Sequence, residues 1–294
     1  MMDRKGITVY LAVNFVALLA ACVALHFSGA ASADSTLYGT GAFYALMWLP
    51  AVSGLAASLA SRDTGVRKPA LWPVPLIGAA ALTVAVAILF VALYTATTLA
   101  GWTQPDWKLS ALMEEMGSQA QGASPLPFIV LGFLFTLGLG PTLYALLSVG
   151  SEWGWRGYLQ PRLMPLGHAR ASLLGGLLWA LWLLPLNAVL SGGDTLAAWT
   201  HAGAMSAMWF AFGVALNELW ARTRHVGLTA VCCGCVLGHT SGMWTYLFPS
   251  TESYLAGPFG VIATAAWAVI ALILLVLPCK PEPVEQAAAE PEEA

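Results

Sequence analysis

The stretch from Leu76 to Leu99 reads LIGAAALTVAVAILFVALYTATTL and decides the fold class. It contains no Asp, Glu, Lys, Arg or His, and its apolar residues form a continuous run instead of alternating with polar ones. A helix needs about 20 apolar residues to cross the hydrocarbon core of a bilayer, whereas the strands of a membrane barrel alternate. The stretch therefore predicts one membrane-spanning α-helix.

The rest of the chain has the same character. Its 294 residues are 59% hydrophobic and 9% charged, whereas a soluble domain carries about 25% charged residues. Too little charge is present to cover a surface that faces water. We predict an all-α, polytopic membrane protein with about eight transmembrane helices, at Ile7–Gly29, Leu37–Ala60, Leu76–Leu99, Phe128–Leu147, Ala171–Leu190, Ala202–Trp220, Val226–Leu247 and Gly257–Leu277.

The positions of Lys and Arg predict the orientation. Eleven of these residues flank the predicted spans on one side, and only Lys108 lies on the other. Positive residues concentrate on the cytoplasmic side of a membrane. We therefore expect both termini in the cytoplasm and the protein in the inner membrane of a bacterium. The first block is too long for the apolar part of a signal peptide, and we expect it to be retained.

The chain is predicted to form one transmembrane domain, residues 1–280, followed by a tail at 281–294. The tail consists mainly of Pro, Ala and Glu and is too polar to order itself, so we expect a disordered, acidic, cytoplasmic tail. The longest external connection, Gly101–Pro127, is predicted to hold a short helix at the outer interface. No nucleic-acid-binding footprint is present, and the lipid bilayer is the expected environment.

Candidate chemistry concentrates in the stretch GSEWGWRGYLQPRL, Gly150–Leu163. Glu152 and Arg156 are four residues apart, so on a helix they share a face and can pair. The simplest interpretation is an ion pair at the inner membrane interface, anchored by Trp153 and Trp155. Ionisable residues inside spans are costly and often functional, so a catalytic role is the competing interpretation.

A second candidate is His239, near the middle of the seventh predicted span. A single intramembrane histidine is either hydrogen-bonded to a neighbour or part of a site. Glu218 is expected to face water or to pair with Arg222, four residues later, and His168 is placed in a solvated loop. Three clustered cysteines are interpreted as packing residues, since they cannot complete a tetrahedral metal site by themselves; they are Cys232, Cys233 and Cys235.

Gly150–Leu163 resembles the first signature of the CAAX-processing and bacteriocin-processing (CPBP) family of intramembrane glutamic endopeptidases. That signature is typically Gly-Glu-Glu-x-Gly-Trp-Arg-Gly-(aromatic)-Leu-x-Pro-Arg-Leu. Leu177–Leu186 resembles the second motif, in which an aromatic residue is followed four positions later by His. Leu237–Met243 resembles the third motif, His-x-x-x-Asn. The order agrees, and the resemblance indicates a CPBP-like helical core at about residues 128–246.

The resemblance implies a mechanism in which the first Glu activates water, a His assists it, a His and an Asn stabilise the oxyanion, and the second Glu pairs with Arg. Mapped onto this chain, the base position holds Ser151, the assisting His position holds Leu183, and the Asn position holds Met243. The retained motif positions, which are the candidate catalytic residues, are Glu152, Arg156 and His239. A Ser hydroxyl without a neighbouring base does not activate water, and Leu transfers no proton.

Three functions stay open at this point, and whether the chain is an enzyme is undecided, with the balance against it. The leading hypothesis is a catalytically impaired pseudoprotease that binds a peptide or a membrane-protein partner. The second is an active intramembrane peptidase that processes a peptide or a prenylated protein. The third is a small-molecule transporter or a subunit of a membrane complex, although no inverted repeat typical of many transporters is present.

Two further expectations follow. Positions 151, 183 and 239 should line one water-filled cavity if the motifs form a site. We expect no cofactor and no bound metal, because one His and one Glu supply fewer ligands than catalytic zinc sites use.

Overall fold

The computed structural model describes residues 3–28, 41–61, 70–120, 122–191, 195–249 and 256–279. Over these residues every named element is helical, and the only β pairing is an isolated bridge between Ala70 and His225. The α-helices are α1 (Arg4–Ser28), α2 (Gly41–Leu46), α3 (Leu49–Ser61), α4 (Leu76–Leu99), α5 (Ser110–Met116), α6 (Pro125–Leu139), α7 (Ala145–Glu152), α8 (Gln160–Leu163), α9 (His168–Leu190), α10 (Leu196–Thr223), α11 (Val226–Thr240), α12 (Met243–Leu247) and α13 (Val261–Val276). The all-α fold class is confirmed.

Six helical segments in the described ranges are long and apolar enough to span a membrane: Arg4–Phe27, Phe43–Ser61, Leu76–Leu99, Pro125–Leu166, His168–Leu190 and Val226–Leu247. The protein is thus a multi-pass integral membrane protein. The two other predicted spans, Ala202–Trp220 and Gly257–Leu277, correspond to helices that are not among these six. Helix α10 has 28 residues but carries Asn217, Glu218 and Arg222, and α13 has 16 apolar residues, about 24 Å of helix. The predicted acidic tail lies outside the described residues.

The fourth predicted span, Phe128–Leu147, is too short. The structure has one helical run of 42 residues, Pro125–Leu166, which at 1.5 Å per residue amounts to about 60 Å, twice the thickness of the hydrocarbon core. Two π-helical segments, Gly140–Tyr144 and Trp153–Leu159, join its α-helical parts. The wider π turn accommodates Pro141 without ending the helix. The signature stretch therefore continues the fourth span instead of following it.

Helix α11 is the central element of the fold. All 15 of its residues are buried, and it packs against α4, α7 and the first π-helical segment. A Cβ on Gly234 would overlap the backbone of Ala145, and a Cβ on Gly238 would lie 2.9 Å from the Cα atom of Gly140. Small residues let helix backbones approach closely inside membranes, and here they bring α11 against the helix that carries Glu152.

The two ends of α11 differ in character, and each is named here by its residues. The basic end is formed by Arg222–His225, where α10 stops and α11 starts. The aromatic end is formed by the last turns of α4 and α11 together with α12, around Tyr94, His239 and Trp244. In the predicted orientation the basic end faces the cytoplasm.

The external connection contains the predicted short helix, α5, followed by a 3-10 turn at Gly117–Ala120. The backbone N–H of Asp106 donates to the carbonyl of Leu247 at 2.7 Å. Leu109 is fully buried. These contacts fasten the connection to the aromatic end. The placement of α5 at a membrane interface stays a prediction.

Candidate functional site

The centre of the candidate site is an ion pair inside the bundle. Glu152 is the last residue of α7, and Arg156 lies in the π-helical segment that follows. Nη1 of Arg156 donates to Oε1 of Glu152 at 2.9 Å, and both side chains are 0% exposed. The pairing predicted from the spacing is observed. The pair is enclosed by protein, and its placement at the inner membrane interface stays a prediction.

Three other groups hold the guanidinium of Arg156. Nε donates to Oδ1 of Asn217 at 2.9 Å, and Nη2 donates to the carbonyl oxygen of Gly213 at 3.1 Å. The guanidinium carbon also lies 4.5 Å from the centre of the Trp179 ring. The two additional hydrogen bonds and the face of the Trp179 ring offset part of the free-energy cost of burying the charge of Arg156.

Close helix packing makes this arrangement possible. A Cβ on Gly213 would lie 2.8 Å from the Trp179 ring, and a Cβ on Gly175 would lie 2.8 Å from the amide nitrogen of Asn217. On the signature helix, a Cβ on Gly154 would overlap the backbone of Pro50 in α3. These glycines lie in the signature helix, in α9 and in α10. Because they have no side chains, the helices around Arg156 can pack closely against one another.

The second carboxylate oxygen of Glu152, Oε2, has different hydrogen-bonding surroundings. Among the described residues, Oε2 has no hydrogen-bond donor. Thr229 of α11 lies beside the carboxylate, but its hydroxyl donates to the carbonyl of Val226 at 2.9 Å. The Cys233 side chain, one turn further along α11, is also close enough to interact with the charge of Glu152.

Ser151, at the expected base position, is completely buried. Its hydroxyl makes no hydrogen bond to any residue that the structure describes. Leu183 is 1% exposed in the middle of α9. Neither side chain can accept a proton at neutral pH, so the two positions contribute no base to the neighbourhood of Glu152.

His239 lies far from this centre. Nδ1 of His239 accepts a hydrogen bond from Nε1 of Trp244 at 3.0 Å, and its ring stacks on Phe90 at 4.7 Å. Glu152 meets α11 near Thr229, which precedes His239 by ten residues, or about 15 Å of helix. The expectation that positions 151 and 239 line one cavity is therefore wrong.

Met243 also belongs to the aromatic end. Its backbone N–H donates to the hydroxyl of Thr136 at 3.3 Å, and its side chain packs against Gly132 of α6. The two residues assigned to the third motif, His239 and Met243, therefore lie together at the aromatic end. Thr229, Cys232 and Cys233 of α11 are close enough to Glu152 to interact with its charge, and Thr229 was not selected from the sequence because it carries no charge.

A second polar cluster continues from the first toward the basic end. Nδ2 of Asn217 donates to the carbonyl oxygen of Ser172, whose hydroxyl in turn donates to Oε1 of Glu218 at 2.7 Å. Nε2 of His168 lies 3.0 Å from the same oxygen, and Arg222 pairs with Oε2 of Glu218 at 2.7 Å. Glu218 thus takes the second of its two predicted alternatives, and the placement of His168 in a solvated loop is wrong.

Asn217 is a residue of the candidate site that was not selected from the sequence. It links the two clusters, and it is 2% exposed. An amide within an apolar block, directly before Glu218, was the available signal, since polar residues inside membrane helices are seldom without a role. As for metals, no group of three or more His, Cys, Asp and Glu side chains suited to an ion is found within the described ranges.

A family match covers the segment that contains this centre. Residues 127–236 match the family model of type II CAAX prenyl endopeptidase Rce1-like proteins. The matched segment contains Ser151, Glu152, Arg156, Leu183 and Asn217, and it ends before His239. No curated protein and no solved structure matches the chain. Residues 127–236 are therefore similar to the Rce1-like CAAX prenyl endopeptidases, and the resemblance to the CPBP family predicted from the motifs is confirmed.

Proposed function

We propose that this protein is a catalytically impaired relative of the CAAX-type intramembrane endopeptidases, which binds a hydrophobic peptide or membrane-protein segment without cleaving it. The observation that carries the proposal is the surroundings of Glu152. The retained carboxylate is bound to Arg156, and its neighbours are Ser151, Thr229 and Cys233. None of these is a second carboxylate or an imidazole.

Chemistry argues against efficient water activation at such a centre. Oε1 of Glu152 is occupied by the hydrogen bond from Arg156, and neither Ser151, Thr229 nor Cys233 is a carboxylate or an imidazole that could assist in moving a proton. Loss of a general base typically costs a factor of about 10² to 10⁴ in rate, and loss of oxyanion donors about 10² to 10³ more. The same ion pair preserves the architecture, which fits a retained binding role.

An apolar groove supports the binding part of the proposal. It has a volume of about 540 Å³ and lies between the start of α4, the helix around Pro141 and the first turns of α11. Val149 and Ala230 line it; Val149 precedes Glu152 by three residues on the same helix, and Ala230 follows Thr229 on α11. A hydrophobic chain in the groove would thus lie against the two helices that carry Glu152 and Thr229.

The experiment uses the full chain in nanodiscs with a farnesylated CAAX peptide that carries a photo-crosslinker. We expect crosslinking that unlabelled peptide displaces, and a strong decrease in the variant Val149→Trp, which fills the groove. The control is Val84→Trp, at an exposed position of α4 outside the groove. Displaceable crosslinking that is equal in both variants would contradict binding at this groove.

A second variant tests the catalytic part. Ser151→Glu and Leu183→His would restore a carboxylate and an imidazole at two motif positions, and Cys233→His would add an imidazole on the part of α11 near Glu152. We expect this triple variant to cleave the peptide where the native chain does not. The control combines the first two changes with Met243→Asn, at the aromatic end, and is expected to stay inactive. Cleavage by the native chain would overturn the proposal.

One observation favours the active-peptidase alternative. Oε2 of Glu152 is buried without a hydrogen bond at ordinary distance from the described residues, and the Thr229 hydroxyl lies beside the carboxylate. This oxygen therefore keeps an acceptor position for a water molecule or a peptide N–H that enters the site. Under this alternative Glu152 itself would be the base, and the native chain would cleave the peptide without any substitution.

A further inference from the structure

The aromatic end contains a cavity that the proposed function does not use. Its volume is about 510 Å³, within the range of small-molecule sites. Helices α4, α6, α11 and α12 and the connection before α5 form its walls. The side chains that shape it are Tyr94, Trp107, Phe133, His239, Trp244 and Phe248.

Flat aromatic surfaces dominate the walls. Tyr94 stacks on Trp244 with ring centres 4.5 Å apart and planes inclined by 4°, and Phe248 stacks on Tyr94 at the same separation. Phe133 meets Trp244 edge-on at 4.8 Å. Rings fixed in this way lose little entropy on binding, so the walls form a preorganised surface for another flat ring.

The cavity opens toward the lipid. Val91 and Leu99 line it and are 53% and 84% exposed on the outer surface of α4. In a membrane protein these side chains contact acyl chains. A ligand that reaches the cavity by this route must be soluble in the bilayer.

His239 supplies a single directed polar group. An indole N–H can only donate, so the hydrogen bond from Trp244 requires Nδ1 of His239 to be unprotonated, and the neutral ring then carries its hydrogen on Nε2. Nε2 makes no hydrogen bond to any residue in the described part of the chain, although His239 is 3% exposed. With Nδ1 and one ring face already occupied, Nε2–H is the donor that His239 offers to the cavity.

We propose that this cavity binds a lipophilic, planar ring compound with a carbonyl oxygen, which accepts a hydrogen bond from Nε2–H of His239 while the ring packs against Tyr94 and Trp244. The site is separate from Glu152, about 15 Å away along α11. It therefore does not depend on whether the protein cleaves or binds peptides.

The test compares two probes of the same shape, 2-methyl-1,4-naphthoquinone and 2-methylnaphthalene, of which only the first has carbonyl oxygens. Binding to the full-length protein in nanodiscs is measured by equilibrium dialysis against empty nanodiscs. We expect saturable binding of the quinone that is about tenfold tighter than binding of the hydrocarbon, the size of one buried hydrogen bond. Equal affinity of the two probes for the native protein would overturn the proposal.

Variants locate the site. His239→Phe should reduce the affinity ratio of the two probes to about one, because it keeps the ring and removes the donor. Val91→Trp fills the mouth of the cavity and should abolish saturable binding of both probes. Val84→Trp, seven residues earlier on the same lipid-facing helix and 57% exposed, is the control and should leave binding unchanged. Quinone binding that survives Val91→Trp would contradict the assignment.

Discussion

The Glu152–Arg156 centre and the aromatic-end cavity lie against the same central helix, α11, but they differ in how their polar side chains are hydrogen-bonded. At the first, every guanidinium nitrogen of Arg156 donates to a partner inside the bundle. At the second, one histidine nitrogen is held by Trp244 and the other is left to an apolar cavity. The comparison shows that the polar groups of an enclosed ion pair are hydrogen-bonded to one another and to their neighbours, whereas one nitrogen of a single histidine beside a cavity has no partner among the described residues.

The largest expected effect comes from breaking the ion pair. Arg156→Met leaves the buried carboxylate of Glu152 without its counter-charge, and loss of one partner of a buried pair costs about 3–5 kcal/mol. Unfolding in mixed micelles, followed by tryptophan fluorescence, measures the change. The double variant Glu152→Gln with Arg156→Met should recover part of the loss, because no isolated charge remains. A cost below about 1 kcal/mol for Arg156→Met, the range of exposed pairs, would contradict burial of the pair.

A smaller effect is expected at Asn217. Asn217→Leu removes the acceptor of Arg156 and the donor to Ser172, and each unpaired buried group costs about 1–3 kcal/mol. The matched control is Asn187→Leu, since Asn187 is equally buried but its amide makes no hydrogen bond to the described residues. The same unfolding measurement should show a loss at position 217 and little change at position 187. Equal losses would mean that the amide of Asn217 acts only by its volume.

The aromatic end should respond independently of the first centre. Trp244→Phe removes the hydrogen bond to His239 and is expected to cost about 1 kcal/mol. Sites without shared partners add within about 0.5 kcal/mol, so the double variant with Asn217→Leu should lose the sum of the two single losses. A coupling clearly above that value would show that the two regions communicate through α11.

The smallest expected effect concerns pH. The backbone N–H and hydroxyl of Ser110, with a further contribution from the backbone N–H of Lys108, lower the pKa of Asp106 below its ordinary 3.8. A lowered pKa stabilises the folded connection above pH 3.8, and the contribution is lost as the pH falls through the lowered value. Hydrogen exchange at the Ser110 amide should therefore accelerate in strong acid. In Asp106→Asn it should be fast at every pH; unchanged protection in that variant would contradict the assignment.

Continuous apolar runs were enough to predict most of the fold. Helix α4 begins and ends at the predicted residues, Leu76 and Leu99, because an uncharged run bounded by Pro75 allows little else. The length of the run Pro125–Leu166 could not be predicted, since π-helical turns leave no periodic signal and the apolar run is interrupted after Leu147 by a stretch that contains Glu152 and Arg156. Helix α9 begins at His168 instead of Ala171, directly after Gly167, whose φ of 96° ends the preceding turn.

The candidate site was predictable only in part. Spacing alone predicted the Glu152–Arg156 pair, because residues four apart share a helix face. Their neighbours lie on two other helices, Asn217 on α10 and Thr229 and Cys233 on α11. The sequence does not show how far these helices are shifted along their axes relative to the helix that carries Glu152. The same missing information placed the third motif at His239, where the nearest neighbours are Phe90 and Trp244.

The most direct test of the account is a cleavage assay on the native protein. The full chain in nanodiscs is incubated with a farnesylated CAAX peptide, and products are identified by mass spectrometry beside the variant Glu152→Gln. The account predicts that both proteins leave the peptide intact over many hours. A product that forms with the native chain and disappears with Glu152→Gln would contradict it, because Glu152 would then be a catalytic base and not only the partner of Arg156.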